Sequence, residues 1–97
     1  MIPLIRHGKV VGNYFRDQEG KDALRNLSPE SPLFLEKEPT NEHDRFAVRI
    51  ITQDRIWIGF VPKEYSGIFY HVDPSCCAAV YHGKNEFSVG LEEDAHA

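Results

Sequence analysis

Three observations predict a mainly β domain, six antiparallel strands closed into a small barrel with two short helices. Short runs of β-branched and aromatic residues recur along the chain, clusters of Gly, Pro, Asn, Asp and Ser separate them, and only two stretches carry a helical pattern. The 97 residues, 41% apolar and 27% charged, suffice for one core and not for two. Residues 1–92 are therefore expected to form a single domain, with 93–97 a frayed, disordered acidic tail. A sheet of this many strands in so short a chain closes on itself because closure removes exposed edges.

The first strand is expected over Arg6–Phe15, where Val10 and Val11 sit between Gly8 and Gly12 and the glycines bend it. Asp17–Leu27 is polar and helix-tolerant; Leu24 and Leu27 anchor one short apolar face, and Ser28-Pro29-Glu30-Ser31-Pro32 stops the helix. Phe34–Glu38 reads as a strand closed by Pro39. Pro39–Asp44 is dense in turn formers whose side chains bond nearby backbone, which predicts an ordered loop. Phe46–Ile51 and Arg55–Val61 are the clearest strands, and the polar link Thr52-Gln53-Asp54 makes them a hairpin. Pro62 suits the first position of a helix, where its missing N–H is harmless. Tyr65, Ile68, Phe69 and Val72 then recur at helical spacing until Asp73-Pro74, so this helix is expected to plug the barrel. Two final strands, Cys76–Tyr81 and Glu86–Leu91, are joined by His82-Gly83-Lys84-Asn85, which has hairpin-turn composition.

Composition narrows the function. A formal net charge of -4 is the wrong sign for coating long duplex DNA, although it leaves room for a local site that takes one or two phosphates. No apolar run approaches the roughly 20 residues needed to cross a bilayer. Met1–His7 lacks the features of a secretory leader, so the cytoplasm is the expected location and no membrane the expected partner. Cys76 and Cys77 are adjacent, a geometry that rarely closes a disulfide, and no second Cys or His pair stands at zinc-site spacing. They are expected to be two small buried strand residues, with no metal and no cofactor.

The segment Glu38-Pro39-Thr40-Asn41-Glu42-His43-Asp44 concentrates hydrogen-bonding groups between two strands, where a rigid sheet commonly presents binding groups. Asn and Asp in tight turns also satisfy their own backbone, so spacing leaves both roles open. The string from Leu35 through Glu38-Pro39-Thr40-Asn41-Glu42-His43-Asp44-Arg45-Phe46-Ala47-Val48-Arg49-Ile50, followed by Ile58-Gly59-Phe60-Val61-Pro62-Lys63-Glu64, resembles the HIRAN domain. Upstream, Gly12-Asn13-Tyr14-Phe15 is similar to that family's glycine and paired-aromatic element, one residue shorter. Downstream, Asn85-Glu86-Phe87-Ser88 is similar to its last aromatic strand, so the resemblance spans nearly the whole chain.

The resemblance implies an OB/SH3-like barrel, found in DNA-repair ATPases that remodel replication forks and as small stand-alone bacterial or phage proteins. In the ATPases it captures the 3′ end of single-stranded DNA. Carried onto this sequence, Asp44 accepts a hydrogen bond from the terminal 3′-hydroxyl and Asn41 holds the loop or the end nucleotide. Tyr14 and His43 supply ring faces for terminal bases, Phe15 and Phe87 line the pocket, and Lys63 meets a phosphate with Phe60 beside it. His43 stands where the family usually has Tyr, and Asn13 and Phe60 where animal relatives carry Arg and His. Residue types alone leave Tyr14, Phe15, Phe60 and Phe87 an ordinary place in the core, and Lys63 an ordinary place in solvent.

The chemistry implied is coherent. A carboxylate repels phosphate, so an acidic residue in a DNA site favours a strand end, which presents a hydroxyl where a continuing chain presents charge. Stacking a base on a ring contributes roughly 1–3 kcal/mol with little regard to sequence. An enzymatic role for Glu42, His43 and Asp44 is disfavoured, because consecutive residues on an extended segment point to opposite faces. The rival to DNA binding is an acidic protein-interaction module that docks on a host or larger DNA-processing protein through a sheet edge or the tail.

Overall fold

The computed structural model describes residues 1–38 and 46–92. The predicted loop Pro39–Asp44, with Asn41, His43 and Asp44, and the predicted tail at 93–97 lie outside the described residues. The strands are β1 (Ile2–Lys9), β2 (Pro32–Lys37), β3 (Val48–Thr52), β4 (Trp57–Phe60), β5 (Cys77–Gly83) and β6 (Glu86–Leu91). One α-helix, α1 (Gln18–Arg25), and 3₁₀ segments at Asn13–Phe15, Lys63–Tyr70 and Pro74–Cys76 connect them. No helix among the described residues is long and apolar enough to cross a membrane.

All pairings are antiparallel, in the order β1-β6-β5-β2-β3-β4. The two ends of that order meet. Val11, just beyond β1, bridges Phe60 at the end of β4, each N–H donating to the other's carbonyl at 3.0 and 2.7 Å. Gly59 allows the approach: a Cβ there would lie 2.6 Å from Val10 Cγ1 and 2.7 Å from the Val11 carbonyl oxygen, distances no side chain tolerates. The expected mainly β barrel with two helical segments is the fold observed.

Alternation supplies the core. Ala79 and Tyr81 on β5, Phe87 and Val89 on β6, and Val48 and Ile50 on β3 lie two residues apart and face inward. Ile5, Leu33 and Ile58 complete the barrel lining, Leu24 of α1 covers one part of it, and Phe69 seals another at 2% exposure.

Several boundaries differ from expectation for local reasons. The first strand begins at Ile2 and ends at Lys9, because Gly12 adopts φ +70° and turns the chain away from the wall. Tyr14 and Phe15 consequently sit on a 3₁₀ turn and not on a strand. The second helix is 3₁₀ throughout: its buried residues are Ser66 and Phe69, three apart, and Val72 lies past its end. Phe46 precedes β3, half-exposed, with its ring 4.6 Å from that of Tyr70. The β3–β4 connection places Arg55 at φ +69° and closes with Thr52 N–H donating to Ile56, which matches a three-residue hairpin loop. Lys84 and Asn85, at φ +53° and +62°, form the two-residue turn between β5 and β6. The cysteines are free but only partly buried, Cys76 ending a 3₁₀ turn and Cys77 starting β5.

Candidate nucleic-acid interface

The site begins at Gly12. Its left-handed backbone suits glycine, and an added Cβ would meet the Phe60 ring at 2.9 Å. The turn that follows holds the rings of Tyr14 and Phe15 out of the barrel, 82% and 89% exposed. Burying either ring would contribute on the order of 1.5–3 kcal/mol, so their exposure needs a backbone that prevents collapse onto the core.

That restraint comes from Arg16, the next residue. Its Nε donates to the Trp57 carbonyl oxygen at 3.0 Å, and its guanidinium carbon lies 3.7 Å from the centre of the Trp57 ring. The Arg49 guanidinium carbon lies 4.1 Å from the same centre. Both guanidinium groups therefore pack against the one indole, whose electron-rich ring attracts cations. Trp57 is fixed in turn by Nε1 donating to the Gly59 carbonyl at 2.9 Å and by edge-on contact with Phe60, ring centres 5.3 Å apart. Arg49 is oriented by Glu38, Nε to Oε2 2.8 Å, with Glu36 at 3.9 Å. The hydrogen bond to Glu38 holds the guanidinium above its ordinary pKa.

Sequence reasoning missed this stack. Register in the β3–β4 hairpin, Arg49 opposite Phe60 and Ile51 opposite Trp57, was a signal for half of it. Arg16 joins from 41 residues away, and no local pattern announces that.

The predicted residues divide into three groups. Gly12 and Asn13 carry the exposed Tyr14 and Phe15, and half-buried Phe60 packs beneath the turn, so these aromatics share one region. Lys63 is exposed at the start of the 3₁₀ segment that leaves β4 and forms no ion pair among the described residues. The described residues on either side of 39–45 lie near the start of that segment: Glu38 N–H donates to the Ala47 carbonyl at 2.9 Å, and Val61 N–H, two residues before Lys63, to the Val48 carbonyl at 2.9 Å.

Phe87 is a correction. It is 0% exposed, one of the largest fully buried side chains, and its ring fills the space over Gly8. An inward position on β6 makes it core and leaves no ring face to line a pocket. The third group, Asn41, His43 and Asp44, lies outside the described residues. Among the described residues no three His, Cys, Asp or Glu side chains gather closely enough to hold a metal ion.

The barrel has relatives of known structure. A protein from Lactobacillus plantarum superposes with a TM-score of 0.71 at 17% identity, over 93% of this chain and 91% of that one. The HIRAN domain of human HLTF superposes with a TM-score of 0.65 at 19% identity, over 95% of this chain and 81% of that one. At such identities the likeness establishes the fold alone. No curated protein sequence matches the chain. Residues 7–75, which run from β1 through the plugging segment and include the aromatic turn, match the family model of the HIRAN domain, a DNA-binding module. The chain therefore belongs to the HIRAN domain family, and membership supports a nucleic-acid-binding role.

Proposed function

We propose that this domain is a non-catalytic module that captures the free 3′ end of single-stranded DNA. The observation that carries the reading is the pair of neighbouring rings, Tyr14 and Phe15, standing 82% and 89% exposed on a turn anchored to the barrel. Rings held rigidly in solvent offer stacking faces whose ordering cost is already met by the fold. In this reading the last base stacks on Tyr14 with Phe15 beside it, and Lys63 meets a backbone phosphate next to Phe60. Asp44 accepts the 3′-hydroxyl, Asn41 steadies the end nucleotide, and His43 offers a second ring. Two stacked bases and one or two phosphates suffice for micromolar affinity, which suits a chain of net charge -4. A module of this kind works in the cytoplasm and delivers a strand end to a larger DNA-processing protein.

Fluorescence anisotropy with oligonucleotides that differ only at the 3′ end tests the reading. A 3′-phosphate is expected to weaken binding, Asp44→Ala to erase that preference, and Tyr14→Ala to weaken binding by roughly 1–3 kcal/mol. Equal affinity for free and blocked ends would defeat end recognition. Absence of binding to any oligonucleotide would favour the protein-docking alternative.

A further inference from the structure

Tyr14 also forms one wall of a cleft that the preceding assignment leaves unused. The cleft, about 320 Å³, is lined by Asn13, Tyr14, Lys21, Leu24, Arg25 and Asn85. Its volume lies at the small end of ligand sites, which run roughly 300–1,000 Å³. No lining residue is acidic, although acids outnumber bases 15 to 11 in the whole chain.

Helix α1 dictates the arrangement. Gly20 and Leu24 are its buried residues, so the helix is docked with that face inward. Lys21 and Arg25, each one position further along and four apart, come together on an exposed flank beside the cleft. Asp17 caps the helix through the Gly20 N–H at 2.9 Å, which keeps this short element in place. Lys21 has no ion pair among the described residues. Among the described residues Arg25 pairs only with Asp22, at 3.4 Å, both side chains well exposed, a pair that solvent screens strongly.

The opposite rim is equally fixed. Asn85 donates its backbone N–H to Tyr81 Oη at 2.9 Å, and its carbonyl accepts from Val10 N–H at 2.8 Å. Its side-chain amide, like that of Asn13, forms no hydrogen bond among the described residues. Two cations, two primary amides offering donors and acceptors, a ring wall and the Leu24 floor converge on one small volume. Cations suit phosphodiester oxygens, amides suit base edges, and the ring suits a base face.

We propose that this cleft is a second nucleic-acid subsite, holding the backbone of single-stranded DNA on the 5′ side of the nucleotide stacked on Tyr14. Lys21 and Arg25 take one or two internal phosphates, and Asn13 and Asn85 bond whichever base edge is presented. The inference rests on the end-capture reading for its polarity and on the cleft alone for its ligand class. It converts a site for a terminus into a track with a direction, in which the strand enters along α1 and ends in the region of Lys63.

The experiment compares 5′-labelled thymidine dinucleotides and hexanucleotides, each with a free or a phosphate-blocked 3′ end, by anisotropy across a salt series. The proteins are the native chain, the double variant Lys21→Gln/Arg25→Gln, and Lys37→Gln as a control for general charge loss elsewhere. Thermal melting verifies that each variant folds. The native chain is expected to bind the hexanucleotide several-fold more tightly than the dinucleotide. The double variant should lose most of that gain, and its salt slope should become shallower by roughly 0.7 for each phosphate contact removed. Lys37→Gln should keep the gain. A double variant with native length dependence and salt slope overturns the inference, as does an equal loss in Lys37→Gln. A gain that depends on Lys21 and Arg25, with no effect of 3′ blocking, keeps the subsite and rejects end capture. The converse result keeps end capture and rejects the subsite. No binding of any oligonucleotide by the native chain rejects both.

Discussion

Arg16 is bonded twice to Trp57, through the carbonyl at 3.0 Å and over the indole at 3.7 Å, and so clamps the aromatic turn to β4. Only 18% of the Arg16 side chain is exposed, so its charge is spent within the fold and is not offered to a ligand. It is a positioning residue for Tyr14 and Phe15. Arg16→Ala is expected to lower single-strand affinity by about fivefold or more while leaving the barrel folded, since one cation–π contact and one hydrogen bond together supply about 1–3 kcal/mol. Hydrogen exchange should speed up at Asn13–Arg16 and stay unchanged in β5 and β6. Unaltered exchange at the turn would rule out the clamp.

Barrel closure depends on a missing side chain. In Gly59→Ala the new Cβ meets Val10 and the Val11 carbonyl at 2.6 and 2.7 Å, so the Val11–Phe60 bridge must lengthen. Overpacking of this kind costs about 1–3 kcal/mol, and the melting temperature should fall accordingly. Because Phe60 also supports Gly12, affinity should fall with it; an unchanged melting curve would show that the closure carries little energy.

Phe87 separates a packing role from a binding role. At 0% exposure, Phe87→Ala should destabilise the fold by about 3–5 kcal/mol in denaturant titrations. Phe15→Ala, at 89% exposure, should leave the midpoint nearly unmoved and weaken binding instead. The opposite pattern would restore Phe87 to the pocket.

Burial, with smaller contributions from Cys76, Asp73 and Glu92, pushes the Cys77 thiol above its ordinary pKa. The folded state thus favours the neutral thiol. The associated stabilisation is complete below the unfolded-state value of about 8.5 and is lost as pH rises through the higher folded value. Alkylation of Cys77 by iodoacetamide at pH 8 should be slower in the folded chain than in urea, and the chain should lose stability from pH 8.5 upward. Equal rates in both states would contradict the burial.

Much of this molecule was legible from local pattern. Alternation placed β2 to β6 within a few residues, because inward positions such as Phe87 and Val89 must be apolar at period two. Turn chemistry located Lys84-Asn85. The family-like strings around Tyr14, Phe60 and Lys63 pointed to the family whose model matches residues 7–75.

Other features were decided by contacts between distant parts of the chain. Local alternation from Arg6 onward made Tyr14 and Phe15 look like strand residues, whereas Gly12 and the pull of Arg16 on Trp57 turn them outward. The segment after Pro62 has an α-helical apolar spacing, yet fitting Phe69 into the barrel tightens it to 3₁₀. The Lys21–Arg25 cleft exists only because α1 and the β5–β6 turn are brought to either side of Tyr14. Sequence by itself determined which residues face the core and where the chain turns, since those follow from the period of side chains along a few bonds. Tertiary structure alone decided which rings and cations are left in solvent side by side, since that depends on the closure of the sheet and on partners as far apart as Arg16 and Trp57.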